Sequence, residues 1–204
     1  MERFERHEWQ ASGVAQGLLR AGRLLVANPL MPDPNFDRTV VLLVAHSEDD
    51  GALGLVLNRP TEMEVSSPLP QWEHLAATPA VVFLGGPVQR QAVICLARSS
   101  VGLTGADSAE KWKALTSHVG TVDLDSDPTE LSDHFSELRV FAGYAGWGSG
   151  QLEGELEAGA WWLVDAEPED PFDEEPGELW KRVLRRQLGP LRFVAYFPDH
   201  PSLN

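Results

Sequence analysis

The sequence holds one cysteine, Cys95, in 204 residues. That excludes an internal disulfide and leaves nothing to argue for an oxidising compartment. Long hydrophobic runs are also missing. Stretches such as Val40 to Ala45 are strand-sized, far short of the roughly 18 apolar residues of a membrane-spanning helix. The opening MERFERHEWQ is charged and has no apolar centre for a signal peptide, so a cytoplasmic protein without membrane contact is expected. Basic charge is scarce: 16 Lys and Arg stand against 31 Asp and Glu, for a net charge of -15. Such a chain repels polyanions, which disfavours nucleic acid as a partner. Histidines number six (7, 46, 74, 118, 134 and 200), with no paired ligand spacing, so no metal is expected. His46, beside Glu48 and Asp49, reads as a solvated cluster.

The acidic excess is concentrated. Asp165 to Glu178 carries eight acidic residues and no basic one, and Lys181 to Arg192 then carries five of the 16 basic residues. This is either an acidic surface loop beside a basic helix face or a flap covering a basic patch.

Along the chain, residues 1–13 read as a loose leader and 14–204 as one domain. A helix is predicted over 14–23, with Leu18 and Leu19 inward, then a strand at 24–27. The proline-rich NPLMPDPNFD bars regular structure. Strands at 39–45 and 52–58 flank Asp50-Gly51 and form a β-hairpin. A helix over 69–77 precedes strands at 80–84 and 92–98, expected to pair as a hairpin across Gly85-Gly86-Pro87. AEKWKALTSHV, within the ambiguous 99–120, reads as a helix, and 119–124 as a strand. Asp127 at the N-cap, Pro128 and Glu130 open a helix with Leu131, Phe135 and Leu138 inward. A strand at 139–144, a helix at 150–158, a strand at 161–164, an amphipathic helix at 178–188 and a final strand at 191–197 complete the pattern. Adjacent hairpins mixed with helix-separated crossings indicate an α+β domain with a mixed sheet.

The glycine-rich GYAGWGSGQLE, 143 to 153, invites a chemical reading. A nucleophile elbow needs Gly-x-Ser-x-Gly, and Ser149 lacks glycines at those positions. A phosphate loop needs Lys and then Ser or Thr after its second glycine, where Gln151-Leu152 stands. Gly146, Gly148 and Gly150 miss the dinucleotide spacing. Asp123-x-Asp125-x-Asp127 begins like a calcium loop, but Pro128 replaces its glycine and His134 its final Glu. Cys95, amid Val93, Ile94 and Leu96, reads as a core residue, so no catalytic residue is assigned. What is left is a strand, a glycine turn and a helix N-terminus, a geometry that either binds an anion through backbone N–H groups or merely lets a helix pack close. Glu155 and Gln151 share a helix face, and a carboxylate pair for acid–base work is the sharper reading of the glutamates there.

Five strings in order, LLVANPLMPDPNFDRTVVLL (24–43), GALGLVLNRP (51–60), FLGGPV (83–88), GYAGWGSGQLEGEL (143–156) and FPDHPSLN (197–204), resemble the YqgE/AlgH family of bacterial proteins. The resemblance covers residues 18 to 204. It departs at Ser149, where the family is expected to carry proline, and at 167–178, more acidic than expected. It implies one α+β domain with a strongly curved, mostly antiparallel, partly barrel-like mixed β-sheet flanked by helices. The family has no established activity, though its members often carry the label of transcriptional regulators. Its motifs place a candidate cleft at Asn35, Phe36, Arg38, Asn58, Arg59, Gly85, Gly86, Tyr144, Trp147, Gln151 and Glu155, with no cofactor implied. The leading expectation is a non-enzymatic binding or regulatory protein acting through a protein partner or a small ligand. An enzyme or nucleotide-type anion binder using the Gly143 to Gly150 turn, with Arg38 or Arg59 as counter-charge, is the alternative. DNA binding through Arg182, Arg185, Arg186 and Arg192 is disfavoured by net charge.

Overall fold

The computed structural model of the chain describes residues 18–100 and 112–198. Ten strands form one curled sheet: β1 (Arg23–Ala27), β2 (Val40–Ser47), β3 (Gly51–Val56), β4 (Pro60–Glu64), β5 (Val81–Leu84), β6 (Val88–Ser99), β7 (Trp112–Ala114), β8 (Val119–Val122), β9 (Phe135–Trp147) and β10 (Trp161–Asp165). The order is β10-β1-β2-β3-β9-β6-β8-β7, with β5 also on β9 and β4 beside β5. Every pairing between these strands is antiparallel except β5 with β9. The three α-helices among the described residues are short: α1 (Pro128–Leu131), α2 (Gln151–Glu157) and α3 (Leu179–Arg185). This is the single α+β domain with a half-barrel sheet that the sequence led us to expect. No helix among the described residues is long and apolar enough to cross a membrane.

The apolar runs are continuous because the sheet is covered on both faces. Side chains alternate between faces, so each run splits into two sets. Leu24, Val26, Val40, Leu42, Leu96 and Phe141 face a cluster closed by Leu179, Trp180, Val183 and Leu184 of α3. Leu25, Ala27, Val41 and Leu43 face the other way, into a cluster closed by Leu152 of α2. Further along that second side, Cys95, Ala97 and Val140 pack on Trp72 and Trp112.

Several expectations gave way. The β5 and β6 strands do not pair with each other; both lie against β9, β5 in parallel and β6 antiparallel. Residues 112–119 are not helical. The Trp112–Ala114 strand turns back on β8, which buries Trp112 against the Phe135 ring at 5.1 Å. The start of AEKWKALTSHV lies outside the described residues. The predicted helix at 69–77 is a 3-10 helix over Pro70–Leu75 that buries Trp72. Asp127 does cap α1, its Oδ1 accepting the Thr129 N–H at 2.9 Å. That helix is only one turn, however, and Phe135 and Leu138 are buried from strand β9 instead. The final strand is absent: Gly189–Tyr196 is a 3-10 helix on α3, opened by Pro190, which lacks an N–H for a ladder. Residues 18–22 form a turn, not the end of a helix, with Leu19 buried and Leu18 exposed; 14–17 lie outside the described residues, as do the leader and 199–204.

Candidate functional site

The loop after β1 is built by its own polar side chains. Asp33 Oδ1 accepts from the Asn35 backbone N–H and from Asn35 Nδ2, each at 2.9 Å, a local turn that fixes the tip. Asn58 clamps the loop's far end. Its Oδ1 accepts the Val40 N–H at 3.0 Å and its Nδ2 donates to the Arg38 carbonyl at 2.8 Å. Buried at 5% exposure, Asn58 is satisfied by backbone and positions Arg38. Arg38 donates to the Phe197 and Pro198 carbonyls at 3.3 and 2.6 Å and lies over the Trp180 ring at 4.9 Å. It therefore ties the C-terminal segment to the sheet. Arg59 Nη2 donates to the Asp37 carbonyl, holding its guanidinium beside the loop.

Between that loop and the β5–β6 connection lies a cleft of about 140 Å³, lined by Pro34, Asn35, Val56, Arg59, Leu84, Gly86 and Pro87. Only Asn35, Arg59 and Gly86 of the sequence-derived set reach it. Gly85 and Gly86 are there because the chains approach too closely for side chains. A Cβ at Gly85 would sit 2.3 Å from the Gly143 carbonyl oxygen, and one at Gly86 2.2 Å from the Tyr144 carbonyl carbon. Tyr144, opposite Val88 on β9, is half-buried against the core.

Phe36, Trp147, Gln151 and Glu155 form a separate knot. The Glu155 carboxylate accepts three hydrogen bonds: Trp147 Nε1 at 2.9 Å and Trp161 Nε1 at 2.8 Å, both on Oε2, and Gln151 Nε2 at 2.9 Å on Oε1. Phe36 stacks on Trp147 at 6.2 Å and meets Trp161 edge-on at 5.3 Å. The knot joins the end of β9, α2 and the start of β10. Trp161 was missed by sequence reasoning, although a tryptophan six residues after a helical Glu at a strand start was a usable signal.

The glycine stretch resolves accordingly. Gly143 and Gly146 lie within β9; only residues 148–150 form the corner. Gly150, at φ 72°, begins α2 without a side-chain cap. The Gly148 N–H is taken by Gln151 Oε1 at 3.1 Å, and Ser149 Oγ donates to the Glu48 carbonyl at 2.6 Å. His46, read as solvated, instead meets Glu153 of α2 at 2.8 Å with its side chain 6% exposed. Two of the three contacts that hold this corner come from residues whose neighbours in space are distant in sequence.

The acidic segment folds over the basic helix. Asp170, whose side chain is 3% exposed, takes Arg186 in a fork, both contacts at 2.6 Å. Glu167 adds a contact to Arg186 at 3.1 Å, and Arg182 pairs with Asp173 and, at 3.0 Å, with Glu175. Beneath the segment is a cation the sequence reading did not single out. Arg139 is 2% exposed on β9, its guanidinium over Phe83 at 4.3 Å, donating to the Thr78 and Asp173 carbonyls. Burial pushes its pKa down to about 10, which still leaves it charged at neutral pH.

A family model described as AlgH-like matches residues 24–192. The chain belongs to the AlgH-like family. A UPF0301 protein of Streptomyces coelicolor is 48% identical over 193 residues, 95% of this chain and 100% of that one. Among solved structures, the crystal structure of a Corynebacterium diphtheriae protein is similar with a TM-score of 0.79 and 31% identity, over 89% of this chain and 96% of the other. The solution structure of AlgH from Pseudomonas aeruginosa matches with a TM-score of 0.57 and 32% identity, over 82% and 94%. Membership extends the resemblance to the whole fold and leaves the reading of the site to its geometry.

Proposed function

We propose that this AlgH-like protein acts by binding rather than by catalysis, and that the cleft beside Arg59 takes a small ligand bearing a carboxylate or phosphate. The observation that carries the reading is the cleft itself: apolar walls from Val56, Leu84 and two prolines, with Asn35 and Arg59 as polar groups at its side. Arg59 spends one donor on Asp37, and a guanidinium has five, so charge-assisted contacts to an anion are within its capacity. The groups that would serve nucleophilic or acid–base chemistry are engaged elsewhere. Cys95 is 1% exposed and desolvation pushes its thiol pKa far upward, and the Glu155 carboxylate is engaged by three donors. DNA binding through the α3 stripe is not favoured, because Arg182 and Arg186 are spent on the acidic segment.

Native mass spectrometry of the purified chain tests this. A small anionic species that copurifies, is released on denaturation and is weakened about 10- to 100-fold by Arg59→Ala is the expected result, the range corresponding to one lost charge-assisted contact. If Arg59→Ala retains every anionic ligand unchanged, the cleft assignment is wrong. Multiple-turnover hydrolysis or group transfer by the purified chain would overturn the binding reading as a whole.

A further inference from the structure

The C-terminal face presents a second surface, apart from the cleft. In a 3-10 helix side chains three residues apart eclipse one another. Over Gly189–Tyr196 that rule sorts the residues into rows. Pro190, Phe193 and Tyr196 form one row, and all three are exposed, Phe193 at 60% and Tyr196 at 71%. Leu191 and Val194 form the row turned toward the core. Leu188, just before this helix, is 92% exposed. At about 2 Å of rise per residue, Pro190 to Tyr196 spans about 12 Å.

The segment that carries this row is opposite in charge to the rest of the chain. From Leu179 to Pro198 there is no acidic residue, and five cations occur. Three are neutralised: Lys181 by Glu178, Arg182 by Asp173 and Glu175, and Arg186 by Asp170 and Glu167. Arg185 and Arg192 are both exposed, and neither meets a carboxylate among the described residues. Arg192 lies over the Phe193 ring at 4.7 Å, so one of these cations sits on the apolar row itself. The row is also held in place. Arg38 grips the carbonyls of Phe197 and Pro198, and Phe197 N–H bonds to the Val194 carbonyl at 2.9 Å. A pre-ordered row of two exposed aromatic rings with the unspent Arg192 on it, led into by a segment that exposes Arg185 and Leu188, is complementary to one chemistry, apolar groups interleaved with carboxylates.

We infer that this face docks an acidic amphipathic segment of a partner protein, with apolar anchors on Leu188, Phe193 and Tyr196 and carboxylates on Arg185 and Arg192. A second copy of this chain is the less suitable occupant. Its own acidic segment, the densest source of carboxylates, has Asp170, Asp173, Glu167 and Glu175 already committed to Arg182 and Arg186.

The test uses the full chain and two labelled peptides of about 14 residues, one alternating Glu with Phe and Leu and the other carrying Lys for every Glu, followed by fluorescence anisotropy. Saturable binding of the acidic peptide alone is expected, falling steeply as salt rises. Phe193→Ser with Tyr196→Ser should weaken it about tenfold or more, as loss of aromatic anchors does. Arg185→Glu with Arg192→Glu should do the same through charge, with an unchanged thermal midpoint showing that both double variants remain folded. Equal binding of both peptides, no binding, or binding untouched by either double variant overturns the inference. So does a concentration-dependent dimer in sedimentation that the same variants dissolve, which assigns the face to a second copy. Vesicles of phosphatidylglycerol retained by the wild type but not by the variants, without peptide binding, assign it to a membrane surface and likewise overturn it.

Discussion

Replacing Glu155 by Ala is the sharpest test of how the end of the sheet is held. The substitution removes the acceptor for the indole N–H groups of Trp147 and Trp161, residues only 5% and 2% exposed, and for Gln151 Nε2. A hydrogen bond to a charged group contributes about 1.5–3 kcal/mol, and a buried donor left alone costs about 1–3 kcal/mol. Glu155 itself is half-exposed, so water can reach part of the vacated space and the lower ends of those ranges apply. Two stranded indoles then give about 2–4 kcal/mol in total. Glu155→Gln should cost less, about 1 kcal/mol. Both indoles bond the same oxygen, Oε2, and an amide oxygen placed there can still accept from both. The new amide nitrogen would then face Gln151 Nε2, donor against donor. Gln151 cannot simply rotate its amide, because its oxygen holds the Gly148 N–H. Urea unfolding followed by tryptophan fluorescence reads both variants, with unchanged slopes confirming two-state comparison. If Glu155→Ala lowered stability by under about 0.5 kcal/mol, or if Gln proved worse than Ala, the knot would not be holding the sheet.

Other consequences follow from the same geometry. Asp170→Ala leaves Arg186 with Glu167 and the Asp165 carbonyl and strips the Glu167 N–H of its acceptor; a loss of about 2–4 kcal/mol is expected in thermal or urea unfolding, and a loss below about 0.5 would show the pair to be ornamental. Gly85→Ala drives a Cβ into the Gly143 carbonyl oxygen, so β5 must shift from β9 at an expected 2–4 kcal/mol, detected by the unfolding midpoint; a neutral result would refute the close approach. Cys95, buried and held protonated by desolvation, should react with a disulfide reagent at least about 100-fold more slowly in the native chain than in denaturant, and comparable rates would contradict its placement in the core.

Much of the fold was legible because local chemistry and tertiary demand agreed. The β2–β3 hairpin has both an Asp-Gly turn and two apolar strands, and it forms at the expected place with one register shift between Leu43 and Ala45. Where they disagreed, packing prevailed. The stretch at 112–114 has helix-forming Lys and Ala, yet it pairs with β8 because this buries Trp112. The final segment has strand-forming Val, Phe and Tyr, yet Gly189-Pro190 and the apolar side of α3 draw it into a 3-10 helix. The candidate site divided for a similar reason: neighbours in the loop after β1 meet different partners in space. Asn35 lines the cleft while Phe36, its neighbour, packs on Trp147 and Trp161.

The sequence by itself determined the acidic balance, the lone thiol, the strands built on unbroken apolar runs such as β2 and β3 with the Asp-Gly turn between them, and the family. These depend on composition and on neighbours in the chain. Only the tertiary structure decided which carboxylates meet which cations. It brought Asp170 to Arg186, Glu153 to His46 and Glu155 to two tryptophans, buried Arg139 under the acidic segment, and set the unspent Arg192 over the exposed Phe193 ring. Charge count is a property of the chain, whereas pairing falls off within a few ångströms and depends on where the fold sets each side chain.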